Sequence, residues 1–540
     1  MSYDAPAIEE SGIGMHWADV VARRLSEAGG PHRIATGITP SGHIHVGNMR
    51  EILTGDLIYR AARDAGVDAT LYYIADDFDP LRKVYPFLPP SYSEHVGKPL
   101  SEIPAPEGGG NYADHFLRPF LSSLERLGVS PVVVKGSEAY RDGKYYPSIK
   151  AIMENMKVVN EILESVSGRE LDEDWIPFRP KCGSCGKLSS TKPTAWEDPY
   201  VLYSCECGHE GKADTRKDDG KLPWRLDWPA RWNWLGVTCE PFGKDHAASG
   251  GSYDTSTEIV RKVFGKEPPV PLVYEWIQLK GKGAMHSSTG IVITGADMLR
   301  MTPPEVLRFF IARNQPNKHL DMDPGLGILN LVDEFDRYEE QYFGPAGPSE
   351  DAADKRRVYE LSLAEPMSAG STHRAVINVP YRHLVTLVQL VDDLDQLVAK
   401  VKMNEGVKDL DEVSIHRLAR RADCVRFWLD RFAPEGVRFK LYDTPPKEEA
   451  DLLDEEQLSA LAAMIEDFTS LPWDAESIHN AVYEGSRKRG IDPNKTFKAF
   501  YRVLMGMDRG PRLGFFLSNM ERTDIIRRLR LVLEMRGKGV

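Results

Sequence analysis

The sequence is poor in cysteine and has no long apolar segment. Six cysteines in 540 residues are too few for a disulfide-stabilised scaffold. No uninterrupted apolar run reaches the roughly eighteen residues that a membrane-spanning helix needs. The start, MSYDAPAIEESG, is polar and acidic and has no signal-like apolar run. These absences predict a cytoplasmic protein that neither crosses nor binds a membrane.

The charge is acidic overall but unevenly distributed. The formal net charge of -13 argues against broad DNA coating, so no DNA partner is expected. Residues 451–480 hold eight acidic and no basic residues, whereas 481–540 hold fourteen Lys and Arg against six Asp and Glu. The basic end permits a selective nucleic-acid contact. Two solvated helix faces are the alternative interpretation.

The hydrophobic pattern predicts an α/β half followed by a helical half. RIATGI (33–38) and ATLYYIADDFD are strand-like, and 46–63 between them has helical spacing, so a parallel βαβ unit is expected. LVYEWIQL is predicted as one further strand. Residues 86–112, rich in Pro, Gly and Ser, are predicted as loop. The turn after the first strand is not G-x-G-x-x-G, so a dinucleotide fingerprint is missing.

Helical spacing dominates from about residue 350. FGPAGPSEDAAD (343–354) is predicted as a linker, because Pro and Gly stop helices on both sides. Steps of three and four indicate one long helix whose apolar face comprises Leu384, Leu387, Val391, Leu394, Val398 and Val401. At 540 residues the chain is expected to form two to four domains.

The loop between the first strand and helix has the composition of a phosphate-binding turn. A helix N-terminus at the carboxyl end of a parallel strand offers free N–H groups and partial positive charge. Imidazole and amide groups can also donate to phosphoryl oxygens. The backbone positions that allow close approach are Pro40, Gly42 and Gly47, and the donors are His43, His45 and Asn48. A tight structural turn with incidental histidines is the alternative.

Four cysteines are clustered as C-x2-C-x19-C-x-C, namely Cys182, Cys185, Cys205 and Cys207. This spacing favours a ribbon-like structural Zn²⁺ site over free thiols, because four thiolates leave no open position for water. The second pair is C-x-C, so His209 could replace one sulfur. Cys239 and Cys424 are isolated and are predicted to be ordinary core residues.

Several motifs together resemble a known family. PSGHIHVGN resembles the His-Ile-Gly-His signature of class I aminoacyl-tRNA synthetases, with Asn48 in place of the last histidine. GKDHAASGGSYD (243–254) and KGKGAMHSSTG (280–290) fall where that family keeps its other ATP elements. With WRLDWPARW and GPRLGFFL, the set most resembles the class I lysyl-tRNA synthetases. The mobile loop departs from the family's Lys-Met-Ser-Lys-Ser, because Ala284 replaces the first lysine; Lys280 and Lys282 are close enough to substitute.

The resemblance implies an ATP-dependent lysine–tRNA ligase with substrates lysine, ATP and tRNA(Lys), Mg²⁺ and structural Zn²⁺. Lysine would attack the α-phosphate of ATP, and the 2'-hydroxyl of the terminal tRNA ribose would then attack the adenylate. Positioning and charge stabilisation would carry both steps. The implied catalytic residues are His43, His45, Asn48, Lys282, Ser287 and Ser288. The implied ATP-binding residues are Pro40, Gly42, Gly47, Gly243, Asp245 and Met285.

The implied lysine pocket comprises Gly37, Thr39, Trp224, His246 and Tyr274, and Asp76 is added to it from its place in the sequence. Asp76, Asp77 and Asp79 end a predicted strand, so one of them could pair with the ε-ammonium; helix capping is the alternative role. Aromatic rings can also face a cation. Three tryptophans in WRLDWPARW are nevertheless more typical of a core than of a cage.

The expected architecture is a Rossmann-like parallel-sheet catalytic domain at 1–342 with an insertion at 80–222, whose zinc-binding part is about 178–212. An all-helical domain at 343–540 would bind the tRNA anticodon by stacking and edge contacts with unpaired bases. A monomer is expected. Two alternatives remain open at this point: a class I synthetase for Glu or Arg, and a non-catalytic tRNA-binding paralogue.

Overall fold

The computed structural model describes residues 15–168, 170–172, 174–281, 283–284, 293–344, 350–365 and 378–538. These residues fall into two compact units. One is drawn from Met1–Leu299, Pro304–Asp323 and Arg337–His373, and the other from Arg300–Pro303, Pro324–Asp336 and Arg374–Val540.

Helices and strands are mixed along the chain as far as residue 322, and the described residues after that form helices and one short 3₁₀ turn. In chain order the α-helices are α1 (Trp17–Ala28), α2 (Val46–Asp64), α3 (Tyr112–Arg126), α4 (Gly136–Arg141), α5 (Tyr146–Glu154), α6 (Met156–Ser167), α7 (Trp224–Leu235), α8 (Ser252–Lys262), α9 (Gly295–Met301), α10 (Pro304–Ala312), α11 (Gly327–Phe343), α12 (Glu350–Ser362), α13 (Tyr381–Leu387), α14 (Leu394–Glu405), α15 (Glu412–Arg431), α16 (Lys447–Asp451), α17 (Glu455–Ser470), α18 (Ala475–Lys488), α19 (Pro493–Met505), α20 (Leu513–Ser518) and α21 (Arg522–Met535).

The strands are β1 (His32–Ile38), β2 (Ala69–Ala75), β3 (Val132–Lys135), β4 (Arg179–Pro180), β5 (Thr191–Glu197), β6 (Tyr200–Cys205), β7 (Glu210–Asp214), β8 (Gly220–Lys221), β9 (Cys239–Gly243), β10 (Val270–Tyr274), β11 (Ile277–Leu279), β12 (Gly283–Ala284) and β13 (Leu320–Met322). Short 3₁₀ turns lie at Pro90–His95, Leu100–Glu102 and Glu435–Val437.

The central sheet has five strands in the order β10-β9-β1-β2-β3, and every neighbouring pair is parallel. The chain adds β2 and β3 on one side of β1 and later adds β9 and β10 on the other. The order therefore reverses between β1 and β9, and parallel sheets bind ligands beyond the carboxyl ends of the strands at such a point.

Helix α2 begins directly after the loop that leaves β1 and packs on the sheet. Its apolar residues Ile52, Leu53, Leu57 and Ile58 are all at most 1% exposed, as the helical spacing predicts. Burying a side chain of this size contributes roughly 1.5–3 kcal/mol. This burial fixes the start of α2 beside the carboxyl ends of β1 and β9.

Three small sheets lie outside the central one. The chain from β5 to β7 forms an antiparallel sheet, β4 pairs with β8, and β11 pairs with β12 and β13. The prediction of LVYEWIQL as one strand is wrong. The chain leaves the central sheet after Tyr274 and enters a different sheet at Ile277, a change of partner that apolar character alone does not encode.

The second unit is helical. Its core includes side chains that are fully inaccessible on α17, α19 and α20, among them Leu461, Phe468, Phe500 and Phe516. The prediction of one long helix through residues 384–401 is wrong. Helix α13 ends at Leu387, and α14 begins after Asp393, whose carboxylate accepts from the Gln396 N–H at 2.8 Å as an N-cap.

Because α14 starts anew at Asp393, its faces do not continue those of α13. The buried positions of α14 are therefore Leu397 and Val401, while Leu394 is 36% exposed. The predicted linker at 343–354 also contains helix, because α12 begins at Glu350; its residues 345–349 lie outside the described part of the chain. The domain boundaries expected from the sequence remain predictions. Strand β3 joins the central sheet from within 80–222.

Candidate active site

A cavity of about 1000 Å³ opens at the carboxyl ends of β1, β2 and β9, at the reversal in strand order. Its walls come from the loops after these strands, the start of α7, and residues of the β4–β8 region. Seven residues assigned to the site from sequence line it: Gly37, Thr39, Asn48, Asp76, Trp224, Asp245 and His246. The fold thus gathers side chains from positions more than 200 residues apart.

Glu51 on α2 also lines this cavity and was missed by sequence reasoning. Its carboxylate accepts from the Gly37 N–H at 2.5 Å and from the Tyr274 hydroxyl at 2.9 Å. No cationic side chain in the described ranges lies within ion-pair distance of it. Burial raises the pKa of Glu51 to about 8, and the nearby Glu240 and Asp76 carboxylates add to the rise.

Tyr274 therefore lies behind the cavity wall, where it orients Glu51. Its ring also faces the Arg50 guanidinium at 5.8 Å. Gly37 is tightly enclosed, since a Cβ there would be 3.0 Å from Arg231 Nη1 and 3.3 Å from the Ile74 carbonyl oxygen. A larger residue at 37 would push on the buried guanidinium at the base of the site.

Asp76 is not available to an incoming cation in the way the sequence suggested. Its Oδ1 accepts from Arg231 Nη2, which also donates to Asp227 Oδ2 at 2.9 Å. All three side chains are buried. Burial raises the pKa of Asp76 to about 6, and the guanidinium charge works against that rise. Asp76 thus lines the cavity as one member of an ion-pair network in which a single guanidinium pairs with two carboxylates.

Asp79 belongs to the same wall and has a different partner. Lys221 Nζ donates to its Oδ1 at 2.5 Å, and the Thr39 hydroxyl donates to its Oδ2 at 3.0 Å. Asp77 accepts from the Ser137 N–H at 2.7 Å and from the Ser137 hydroxyl at 2.6 Å, at the start of α4. The capping role expected as an alternative therefore applies to Asp77.

The tryptophan-rich segment forms α7 and serves mainly as core. Trp228 and Trp232 are buried and donate to the two oxygens of Glu240 at 2.9 and 2.5 Å. Trp224 is 36% exposed and lines the cavity, with its ring centroid 5.7 Å from that of His246. The core interpretation therefore holds for two of the three rings.

The start of α2 is more enclosed than the sequence suggested. His45 is the N-cap and is 8% exposed; its N–H donates to Asn48 Oδ1 at 3.2 Å, and the Val46 N–H donates to the Ile293 carbonyl at 2.9 Å. This pairing leaves the Asn48 NH₂ as the donor end at the cavity wall. His43 is exposed on one side and packs on Phe116 and Phe87 with ring centroids 5.1 and 5.7 Å away. This packing removes part of the imidazole from water and lowers its pKa.

Pro40 and Gly42 are buried within the same loop, and Gly47 is half-buried in the first turn of α2. Gly243 ends β9, and a Cβ there would meet Asp245 Oδ1 at 2.6 Å. Asp245 is half-exposed, with the Trp276 Nε1–H donating to it at 3.4 Å. Four residues assigned from sequence, Lys282, Met285, Ser287 and Ser288, lie outside the described residues.

The four clustered cysteines converge at the ends of the β5–β7 sheet. The Sγ atoms of Cys182, Cys185, Cys205 and Cys207 all lie within 4.8 Å of one another. The Cys182–Cys207 and Cys185–Cys205 sulfur distances are 3.6 and 3.7 Å, close to the edges of a tetrahedron with about 2.3 Å metal–sulfur bonds. Backbone N–H groups of Ser184 and Cys185 donate to Cys182 Sγ. The donor set fits Zn²⁺ without His209.

Comparison with known proteins identifies the family. The family model described as class I tRNA synthetases (K) matches residues 15–365. A Lysine--tRNA ligase 1 of Methanosarcina acetivorans is 46% identical over 537 residues, covering 96% of this chain and 98% of that protein. The Lysine--tRNA ligase of Picrophilus torridus is 44% identical over 524 residues, covering 96% and 99%.

The chain belongs to the class I lysyl-tRNA synthetases. Its parallel-sheet core is the Rossmann-like catalytic fold expected of that family, and ATP follows from membership as a substrate. A solved glutamate tRNA ligase of Elizabethkingia meningosepticum covers 94% of this chain and 99% of its own at 14% identity, with a TM-score of 0.41, too remote to bear on the site. None of the helices formed by the described residues is long and apolar enough to span a membrane.

A sequence signal for the missed Glu51 does exist. It is three positions after Asn48, so it lies on the same face of α2 as that predicted donor. Lys221 had no such signal, because it reaches the site only through the pairing of β8 with β4.

Proposed function

We propose that this chain activates lysine with ATP to lysyl-adenylate and transfers the lysyl group to the 3'-terminal ribose of tRNA(Lys). The observation that carries the choice of lysine is Glu51, a half-buried carboxylate at the cavity wall whose hydrogen-bond donors among the described residues are both neutral. A bound ammonium would supply the missing opposite charge. Such a charge-assisted hydrogen bond is stronger than a neutral one.

The ε-ammonium of lysine is assigned to Glu51, with Tyr274 holding that carboxylate in place. This assignment replaces the one made for Asp76, which already pairs with Arg231. Gly37, Thr39, Trp224 and His246 would surround the rest of the amino acid, since Gly37 donates to Glu51 and the other three line the same cavity.

ATP is assigned to the region between the start of α2 and the end of β9. Asn48 NH₂, the exposed His43 ring and the loop residues Pro40, Gly42 and Gly47 would approach the phosphates, and Asp245 would accept a ribose hydroxyl. His45 would act mainly by capping α2, given its burial. Lys282, Ser287 and Ser288 are assigned as further phosphate donors and Met285 as an ATP-binding residue on the sequence resemblance alone, and Mg²⁺ would accompany the phosphates. Neither chemical step requires a protein nucleophile, so these groups act by orientation and charge.

A structural Zn²⁺ is assigned to the four cysteines. The sulfur distances suit tetrahedral coordination, and a site with four protein ligands has no position for a reacting water. Its expected contribution is to hold the segment before β5 against the end of β6, where the two pairs of cysteines lie.

Binding of tRNA is assigned to the helical unit, through a surface formed by α18 and α19. The rings of Phe497, His479 and Tyr483 follow one another with centroid spacings of 5.6 and 6.3 Å and interplanar angles of 17° and 14°. His479 and Tyr483 are exposed, whereas Phe497 is half-buried and packs on the core. Arg487 lies over Tyr483 at 5.8 Å. We call these four side chains the stacking ladder; nearly parallel rings at a surface beside a cation suit unpaired bases, including those of an anticodon. A monomeric state and a cytoplasmic location remain predictions.

The test is aminoacylation of total tRNA with each of the twenty amino acids in turn, by wild type and by His45→Ala. Charging with lysine alone is expected, at a reduced rate for the variant. Charging with glutamate or arginine would overturn the choice of lysine. The Ala284 departure favours one competing outcome, tRNA binding without charging by any amino acid, which would indicate a non-catalytic paralogue.

A further inference from the structure

A three-residue chain of side chains connects the end of β8 to the cavity. Lys221, with only 8% of its side chain exposed, donates to Asp79 Oδ1 at 2.5 Å, and Asp79 Oδ2 accepts from the Thr39 hydroxyl at 3.0 Å. All three residues line the cavity. An ionised carboxylate can only accept hydrogen bonds, so the Thr39 proton points to Asp79 and the oxygen of that hydroxyl faces the cavity as an acceptor.

Lys221 is needed to keep Asp79 ionised, so that Thr39 donates to Asp79 and not the reverse. Asp79 shares its surroundings with Asp76 and Asp227, while Arg231 already donates to both of those carboxylates. Lys221 Nζ also lies 3.9 Å from Asp227 Oδ1. Burial raises the pKa of the Asp79 carboxyl, but the charge and hydrogen bond of Lys221, helped by Thr39 and by the charge of Arg82, outweigh it and hold the pKa below its ordinary value.

Loss of the ammonium would therefore leave three clustered carboxylates with Arg231 as the one cation that donates to them among the described residues. A protonated Asp79 could donate to Thr39, and the threonine hydroxyl would then turn its proton toward the cavity. A donor at that position repels an ammonium group, whereas an acceptor binds it.

We propose that Lys221 is a positioning residue for amino-acid binding: it fixes Asp79 as an acceptor, and so presents the Thr39 oxygen to an ammonium group of the bound lysine. The inference rests on the proposed function, because it takes the cavity as the lysine site. It assigns Lys221 no contact with the reacting atoms.

The first test compares wild type with Lys221→Met in lysine-dependent pyrophosphate exchange. The KM for lysine should rise about ten-fold or more, the cost of a lost hydrogen bond to a charged group, with kcat changed by less than about three-fold and the KM for ATP unchanged. Lys181→Met is the matched control, because Lys181 flanks the paired strand β4 but forms an exposed ion pair with Glu102 at 2.6 Å outside the cavity. It should behave as wild type.

The second test is a double-mutant cycle with Thr39→Val, measured as equilibrium binding of radiolabelled lysine. If Lys221 acts through Thr39, Lys221→Met should weaken binding little further in the Thr39→Val background. If the double variant instead weakens lysine binding by the product of the two single-variant factors, Lys221 has a general structural role and the proposal is overturned. An unchanged lysine KM in Lys221→Met would overturn it as well.

A protein with unpaired buried carboxylates could fail to fold. The variant Lys221→Met/Asp79→Leu removes both charges and frees the Thr39 hydroxyl to rotate, so its lysine KM should lie between those of wild type and Thr39→Val; a wild-type KM would contradict the proposal. Failure of the proposed function gives a different result, since wild type itself would then support no lysine-dependent exchange.

Discussion

At the scale of single residues, the decisive side chain is Glu51. A partly desolvated carboxylate with no cationic partner among the described residues favours its protonated form, and the neighbours of Glu51, Gly37 and Tyr274, stabilise its ionised form only in part. Substrate binding would complete the site by supplying the opposite charge. The pocket is thus predisposed toward a cationic group, which neither glutamate nor a neutral amino acid offers on its side chain.

The pKa of about 8 for Glu51 predicts a pH dependence of lysine binding. Below that pH the carboxyl is protonated and must lose its proton to pair with the ammonium, so the KM for lysine should fall about ten-fold per pH unit between pH 6 and 7 and level off above about 8. Pyrophosphate exchange at a series of pH values measures this, and the KM for ATP is the internal control. A flat lysine KM over this interval would contradict the assignment.

The raised pKa of Glu51 also makes the stability of the fold depend on pH. A carboxyl whose pKa is raised by folding binds more protons in the folded chain between its ordinary pKa and its raised one. The free energy of unfolding therefore decreases as pH rises from about 4.5 to about 8. Lysine, by favouring the ionised carboxylate, should offset that loss at the upper end of the interval.

At the scale of elements, the zinc-binding region can be tested independently of catalysis. Purified protein should contain about one zinc per chain, and Cys205→Ser should lose the metal and lower the thermal midpoint, because the three sulfurs left no longer complete the tetrahedron. Metal analysis and thermal unfolding measure both effects. Cys239→Ala is the control, since Cys239 lies in β9 away from the cluster; it should keep its zinc. Less than about half an equivalent in wild type would count against the site.

The stacking ladder gives a second prediction at this scale. Tyr483→Ala should weaken tRNA(Lys) binding about ten-fold, because stacking on one ring contributes about 1–3 kcal/mol per base. Lysine-dependent pyrophosphate exchange should not change. Tyr442→Ala removes an equally exposed ring, 37% against 39%, that forms no part of the ladder. Filter binding with tRNA transcripts measures the effect, and equal affinities for the two variants would refute the assignment.

The elements also show which features a sequence encodes locally. Strand β1, helix α2 and the cysteine cluster follow from periodicity and spacing, because each pattern reflects burial or metal geometry within a short segment. The break before α14 depends on one cap at Asp393, which the apolar spacing hides. Two ion pairs join positions about 150 residues apart, Asp76 with Arg231 and Asp79 with Lys221. No local sequence pattern predicts such partners.

At the scale of the whole molecule, one sheet reversal accounts for the location of the chemistry. It brings the loops after β1, β2 and β9 around one cavity, and the helical unit supplies a separate surface for the proposed tRNA contact. Family membership and the cavity agree on an amino-acid-activating enzyme. Selection of lysine by Glu51 is the central claim about the cavity.

The most direct measurement is pyrophosphate exchange with each amino acid, by wild type, Glu51→Gln and the control Glu125→Gln, which alters an exposed carboxylate on α3. Wild type and the control should respond to lysine alone. In Glu51→Gln the KM for lysine should rise about ten- to a hundred-fold, as expected for a lost charged hydrogen bond, with the KM for ATP unchanged. An unaltered lysine KM in Glu51→Gln, or exchange driven by another amino acid in wild type, would contradict the account.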